Sequence, residues 1–125
     1  MAMTMPLALM YYQNLLPGSQ LVNRLQDLGY RVVVVTDPKD IPARAASEKP
    51  LVMVSEIPAN AAIADAFRQL RANPATEHIP ILAYGAEKDQ SNHNDAVQAG
   101  ANLVASEVGI LDQLPRLLDQ VLTIP

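Results

Sequence analysis

The side chains able to do chemistry in this chain are few, and they fall in a handful of short segments. There is no Cys, which removes disulfides and thiolate-bound zinc or iron–sulfur centres. The two histidines, His78 and His93, stand far apart with no carboxylate pattern joining them into a metal cluster. No Ser-His-Asp or Cys-His arrangement is suggested either. His78 reads as part of a loop and His93 as part of a polar helix, both solvated rather than catalytic. What remains is a set of carboxylates and hydroxyls: Tyr11-Tyr12, Ser55-Glu56, Tyr84 beside Gly85, and Ser106-Glu107. Carboxylates serve as nucleophiles or as hard ligands for divalent cations. If Glu56 and Glu107 were close, their repulsion would raise one pKa; solvated loop carboxylates well apart are the simpler reading. A nucleotide site finds little support, because Gln13-Asn14-Leu15-Leu16-Pro17-Gly18 offers one Gly, and Pro17 removes an N–H that a phosphate cradle would use.

The elements that must position these residues are bounded first by size. The chain has 125 residues, 50% of them hydrophobic and 18% charged, which describes one compact domain over residues 1–125 with a full core. Its apolar runs are too short and too often broken by Pro or charge to cross a bilayer. Thirteen acidic against nine basic residues give a net charge of -4, with no basic run to follow a phosphate backbone, so nucleic-acid binding is set aside. The first ten residues contain no Lys or Arg and lack the long apolar centre of a signal peptide, so a cytoplasmic location is expected.

Leu7 to Tyr12 has the length of a strand. After Pro17-Gly18, Ser19 reads as a helix N-cap, and Leu21, Val22, Leu25 and Leu28 repeat at helical spacing up to the stop at Gly29. Tyr30 to Thr36, with four consecutive Val, predicts a second strand covered on both faces. A short helix over Asp37–Lys49 leads to Pro50, and Leu51 to Ser55 is the third strand, with Glu56 at its end. From Asn60, Ile63, Ala66, Phe67 and Leu70 trace one helical face, leaving Arg71 on the polar side. Ile79 to Tyr84 is the fourth strand, and Ser91 to Ala99 a polar helix closed by Gly100. Ala101 to Ala105 is the fifth strand. Leu111, Leu114, Leu117, Leu118, Val121 and Leu122 make the last helix, with Pro115 tolerated only in its first turn. Five strand–helix alternations predict an α/β fold, a doubly wound five-stranded parallel sheet. Ligands of such sheets meet the carboxyl ends of the strands, where Tyr11-Tyr12, Glu56, Tyr84-Gly85 and Ser106-Glu107 fall.

The stretch Leu70-Arg71-Ala72-Asn73-Pro74-Ala75-Thr76-Glu77-His78-Ile79-Pro80-Ile81-Leu82-Ala83 resembles the helix-three to strand-four passage of response-regulator receiver domains of bacterial two-component systems, the chemotaxis-regulator-like family. Ala99-Gly100-Ala101-Asn102 is similar to that family's turn into strand five. Leu28-Gly29-Tyr30-Arg31-Val32 and Lys49-Pro50 add to the resemblance. It implies the flavodoxin-like (βα)5 fold with strand order 2-1-3-4-5. A working receiver transfers phosphoryl from a histidine kinase to an Asp ending strand three. An acidic pair helps hold Mg²⁺, a Ser or Thr ends strand four, and a Lys ends strand five. Laid onto this sequence, the acidic pair falls on Tyr11 and Tyr12, neutral phenols that are poor Mg²⁺ ligands. The acceptor falls on Glu56, or on Ser55 if the register slips by one. The hydroxyl position falls on Gly85, the Lys position on Glu107 and the switch aromatic on Val104. A carboxylate at Glu107 repels a phosphate where a Lys would attract it.

The resemblance therefore implies a pseudo-receiver: a non-enzymatic signalling module with no cofactor and Mg²⁺ binding lost, acting by phosphorylation-independent protein–protein interaction or dimerisation. The alternatives are a phosphorylatable response regulator with a rearranged acceptor at Glu56 or Ser55, and a small ligand-binding flavodoxin-like domain. Receivers commonly pair through helix four, strand five and helix five, which implies a partner surface at about Ser91–Thr123. The apolar positions of the last helix, which cover more than one core stripe needs, point the same way. Tyr11, Tyr12 and Tyr84 could make the old metal pocket aromatic, but strand alternation sends Tyr11 and Tyr12 to opposite faces, so at most two of the three share a cavity.

Overall fold

The computed structural model describes residues 6–57, 62–85 and 90–123. Five strands, β1 (Leu7–Tyr11), β2 (Arg31–Val35), β3 (Val52–Glu56), β4 (Ile81–Gly85) and β5 (Leu103–Ser106), form one sheet in the order β2-β1-β3-β4-β5. Every neighbouring pair is parallel. The helices are α1 (Leu15–Asp27), α2 (Ile41–Glu48), α3 (Ala62–Ala72), α4 (Gln90–Ala99), α5 (Glu107–Asp112) and α6 (Leu114–Leu122). The expected doubly wound α/β architecture and its strand order are both present. No helix among the described residues is long and apolar enough to cross a membrane.

Strand alternation divides the core in two. On one side Leu9, Tyr11, Met53, Ile57, Ile81 and Ala83 pack with α2, α3 and α4 through Ile41, Ile63, Phe67, Leu70 and Ala96. On the other, Ala8, Met10, Val52, Val54, Leu82 and Tyr84 pack with α1, α5 and α6 through Leu21, Leu25, Ile110, Leu114 and Val121. The central strands β1, β3 and β4 are buried along their whole length, as their continuous apolar sequences require.

Several boundaries differ from expectation for identifiable reasons. Ser19 is not the first cap, because the regular part of α1 already begins at Pro17, directly behind the extended Leu16 (φ -114°, ψ 124°). Pro17 and Gly18 are part of the first turn rather than breakers before it, where the missing proline N–H costs nothing. Gly18 is needed there: a Cβ would lie 2.9 Å from Tyr12 Cβ and nearer still to the Tyr12 ring. The four-Val strand is not covered on both faces. It is the edge strand β2, with Val34 38% exposed, and its β-branched run reflects strand propensity more than burial. The last helix is broken at Gln113 (φ -123°, ψ 25°) into α5 and α6, and Pro115 sits in the first turn of α6 as its chemistry demands. Leu114, Leu118 and Val121 are buried there, while Leu111, Leu117 and Leu122 are half-buried against the same core, so the surplus apolar positions are largely used internally. Gly29 (φ 95°) and Gly100 (φ 132°) close α1 and α4 in the left-handed region, as expected. The expected start of α3 at Asn60 lies outside the described residues.

The α3–β4 passage is held by Arg71, which does not stay on the polar side. Its guanidinium donates to the Gly100 carbonyl from Nε (3.2 Å) and Nη2 (2.8 Å), to Asn102 Oδ1 (2.7 Å), to the Ile79 carbonyl (2.8 Å) and to the Glu77 carbonyl. Asn102 Oδ1 also accepts from the Ile81 N–H at 2.8 Å. One planar fork thus ties the end of α3 to the entry of β4 and to the α4–β5 turn. Burial lowers the Arg71 pKa from its ordinary value, because the charged form loses water that carbonyl dipoles only partly replace.

Candidate functional site at the carboxyl ends of the strands

The carboxyl ends of β1, β3, β4 and β5 bring together Tyr11, Tyr12, Ser55, Glu56, Tyr84, Gly85, Ser106 and Glu107, while His78 lies before β4 at the amino ends, and the pleat distributes the strand-end residues over two sides. In register, Tyr11 lies opposite Ser55, Glu56 opposite Tyr84, and Gly85 opposite Ser106. Glu56, Tyr84 and Tyr12 belong to the side of α1 and α5, where Tyr84 is a core residue and Tyr12 packs against it. Tyr11, Ser55 and Gly85 belong to the side of α3 and α4, where Val104 packs half-buried against the core. The expectation that at most two of the three Tyr share a cavity holds: Tyr12 and Tyr84 share a side and Tyr11 does not.

Glu56 is not a solvated loop carboxylate. It is 4% exposed, and its Oε1 accepts from the main-chain N–H of Gln13 at 3.2 Å and of Asn14 at 3.1 Å. The side chain therefore reaches back from the end of β3 and fastens the loop between β1 and α1. Ser55 is fully buried, and its hydroxyl donates to the Glu56 carbonyl at 2.9 Å. Glu107 opens α5, where a carboxylate faces the positive end of the helix dipole, and the hydroxyl of the preceding Ser106 caps that helix by accepting from the Gly109 N–H at 2.9 Å.

His93, expected on a solvated face, is buried at 9% exposure. A Cβ on Gly85 would lie 3.0 Å from His93 Nε2 and 3.5 Å from Ile57 Cβ, so the imidazole stands beside the place that a Ser or Thr side chain would need. A signal for this existed in the sequence: His93, Ala96 and Ala99 follow one another at helical spacing, and both Ala are buried. The main-chain donors of Gln13 and Asn14 left no such trace, since backbone groups carry no residue signature.

Among the described residues, Tyr11 Oη, Tyr84 Oη and His93 Nε2 are buried without a hydrogen-bond partner. Burial raises the Tyr84 pKa well above that of an ordinary phenol, and the charges of Glu56 and Glu107, then Tyr12 and Tyr11, add to the rise. Tyr11 is raised by burial, with the charges of Glu56 and Asp37 adding. Tyr30, just before β2, is raised by burial and by Asp119. All three phenols therefore stay protonated past the ordinary value near 10 while the chain is folded. Raised folded-state values contribute stability that is complete below the unfolded value and lost as pH rises above it. Unfolding at alkaline pH should therefore set in above about pH 10. Tyr84→Phe, which deletes an unpartnered buried hydroxyl, should gain about 1 kcal/mol at neutral pH and lose less above pH 10; urea melts at both pH values check this.

The donor set does not suit Mg²⁺, which needs several hard oxygens in octahedral array. The end of β1 offers the phenols of Tyr11 and Tyr12 rather than carboxylates, and the Glu56 Oε1 is already engaged. No group of three or more His, Asp or Glu among the described residues gathers as metal ligands.

No family model matches the sequence, and no curated protein matches it. Solved structures do. The receiver domain of a sensor histidine kinase from Pseudomonas aeruginosa, solved with a magnesium ion coordinated in its active-site cleft, is 22% identical with a TM-score of 0.83, over 97% of this chain and 100% of that one. A response regulator from Chloroflexus aurantiacus, named as putative, is 19% identical with a TM-score of 0.85, over 97% and 100%. A chemotaxis protein from Vibrio cholerae is 19% identical with a TM-score of 0.81, over 94% and 99%. With the same strand order, the same helices on both faces and near-complete mutual coverage, this chain has the fold of the response-regulator receiver domains.

Proposed function

We propose that the chain is a single receiver-like signalling module that has given up phosphoryl transfer and works as a pseudo-receiver, non-enzymatic and without Mg²⁺, by protein–protein interaction. One observation carries this reading: the carboxylate at the acceptor position, Glu56, is buried and turned onto the Gln13 and Asn14 N–H groups. In a phosphorylatable receiver that carboxylate must meet a metal and an incoming phosphoryl group; here it is spent on the loop that would supply the metal ligands. Ser55 supports the same conclusion, since its hydroxyl is fully enclosed and already donating. Gly85 and Glu107 supply neither the hydroxyl nor the cation that would stabilise a transferring group. Partner binding through α4, β5 and the two helices after it, about Ser91–Thr123, is supported by the exposed Val97 and Val108 on that part of the surface. The net charge of -4 favours a protein over a nucleic acid, and a cytoplasmic setting fits a module of this kind.

Intact mass spectrometry with acetyl phosphate, with and without Mg²⁺, tests the reading. The expected result is no phosphoryl adduct and no Mg²⁺-dependent change in melting temperature. A Mg²⁺-dependent adduct that disappears in Glu56→Ala or Ser55→Ala would overturn it and name the acceptor.

A further inference from the structure

The outer edge of β2 pairs with no other strand among the described residues. The Arg31 N–H donates to the Pro6 carbonyl at 2.8 Å, on the β1 side. Successive residues of a strand turn their main-chain groups to alternate sides, so Val33 and Val35 also face β1, while Val32, Val34 and, past the end of the strand, Thr36 face outward. This edge is apolar, β-branched and in part uncovered: Val34 is 38% exposed, and Val32 and Val33 are half-buried. Only Arg31 and Asp37, at its two ends, carry charge, and both are exposed. Natural edges are usually blunted by charges, prolines or bulges within the strand, and Arg31-Val32-Val33-Val34-Val35 has none at its centre.

We infer that this edge joins a second copy of the same chain by antiparallel β2–β2 pairing about a two-fold axis at Val34. Self-complementarity selects the register. Centred on Val34, the outward groups of Val34 meet those of Val34 in the other copy, and the outward groups of Val32 meet those of Thr36, so each donor finds an acceptor. The same register places Arg31 of one copy beside Asp37 of the other, where the chain begins to bend, so opposite charges meet at both ends. Asp37 Oδ1 accepts from the Lys39 N–H at 3.0 Å, which leaves its second oxygen for the guanidinium. A groove of about 260 Å³ beside Val35, bordered by Asp40, Ala43 and Arg44, lies on the side where this register places the other copy's Val33. The pairing joins two sheets into one. It uses the end of the sheet opposite to β5, which leaves the Ser91–Thr123 face free, and it holds whether or not phosphoryl chemistry is lost. A contact between two short edges buries little area, so association is weak.

Sedimentation velocity over a concentration series, with amide hydrogen exchange on the same samples, tests this. The expected result is a monomer–dimer equilibrium in which the Val32 and Val34 amides exchange more slowly as concentration rises. Val34→Pro deletes an outward N–H without touching the β1 ladder, as edge strands tolerate, and should weaken association by about tenfold or more. Arg31→Asp and Asp37→Arg each set like charges together and should weaken it by roughly fivefold at low salt, while the double variant recovers it. Circular dichroism shows whether Val34→Pro is folded; if it is not, the charge exchange decides. A chain that is monomeric at about 1 mM, a dimer indifferent to a folded Val34→Pro, or a double variant as weak as the single ones overturns the inference.

Discussion

Arg71→Ala should lower the stability of the folded chain by about 3 kcal/mol, seen as a fall in melting temperature of roughly 10 °C. The size follows from what the guanidinium holds. It donates to the carbonyls of Gly100, Ile79 and Glu77 and to Asn102 Oδ1. A hydrogen bond to a charged group contributes about 1.5–3 kcal/mol, and the outer end of the fork is partly wet, which reduces the sum. Truncation removes these bonds together and leaves the part-buried carbonyls of Ile79 and Gly100 without their donor. It also removes the stem that packs on Gly100, where a Cβ would lie 2.7 Å from Arg71 Cγ. Arg71→Lys keeps the charge but not the fork, and should recover less than half of the loss. A chemical melt of the three chains checks both statements; near-wild-type stability for Arg71→Ala would mean that water replaces the fork at little cost. The largest loss of amide protection should fall at the start of β4 and at Asn102, since these are what the side chain joins.

The second large effect is at Glu56. Glu56→Ala frees the Gln13 and Asn14 N–H groups and should cost about 2 kcal/mol, less than a fully buried pair because both residues are exposed and water can reach them. Glu56→Asp restores the residue that the receiver resemblance implies, yet it should also destabilise. A carboxylate one methylene shorter cannot keep bonds that are already 3.2 and 3.1 Å long. The expected outcome is faster amide exchange at Gln13 and Asn14 in both variants, with β3 itself unchanged. If Glu56→Asp exchanges like the wild type, the carboxylate is not what holds the loop. The comparison also bears on function: an Asp released from the loop is a better candidate acceptor, so Glu56→Asp with acetyl phosphate reports whether the latch or the missing neighbours block transfer.

Much of this protein is legible in its sequence, because the readings rest on local chemistry. Alternating apolar runs and punctuating glycines specify the order of elements, since a strand or helix must bury a face whose period is written along the chain. The left-handed stops at Gly29 and Gly100 follow from glycine's freedom at positive φ. That Tyr11 and Tyr12 stand where the receiver resemblance implies an acidic pair is visible because residue type is written in the sequence. The stretch from Arg71 to Ile79 and the Gly100–Asn102 turn, which carry the resemblance to receivers, prove in the structure to be the two halves of the Arg71 staple.

Tertiary structure alone decided what depends on partners distant in the chain. Glu56 finds its hydrogen bonds 42 and 43 residues away, with main-chain donors that no residue type advertises. His93 is drawn inside because Gly85, on a neighbouring strand, leaves room for it. The four Val of β2 signal a strand, but only sheet order makes that strand an edge. In each case the amino acids set which interactions are possible, and the packing of distant elements selects among them, because burial and hydrogen bonding are properties of neighbours in space.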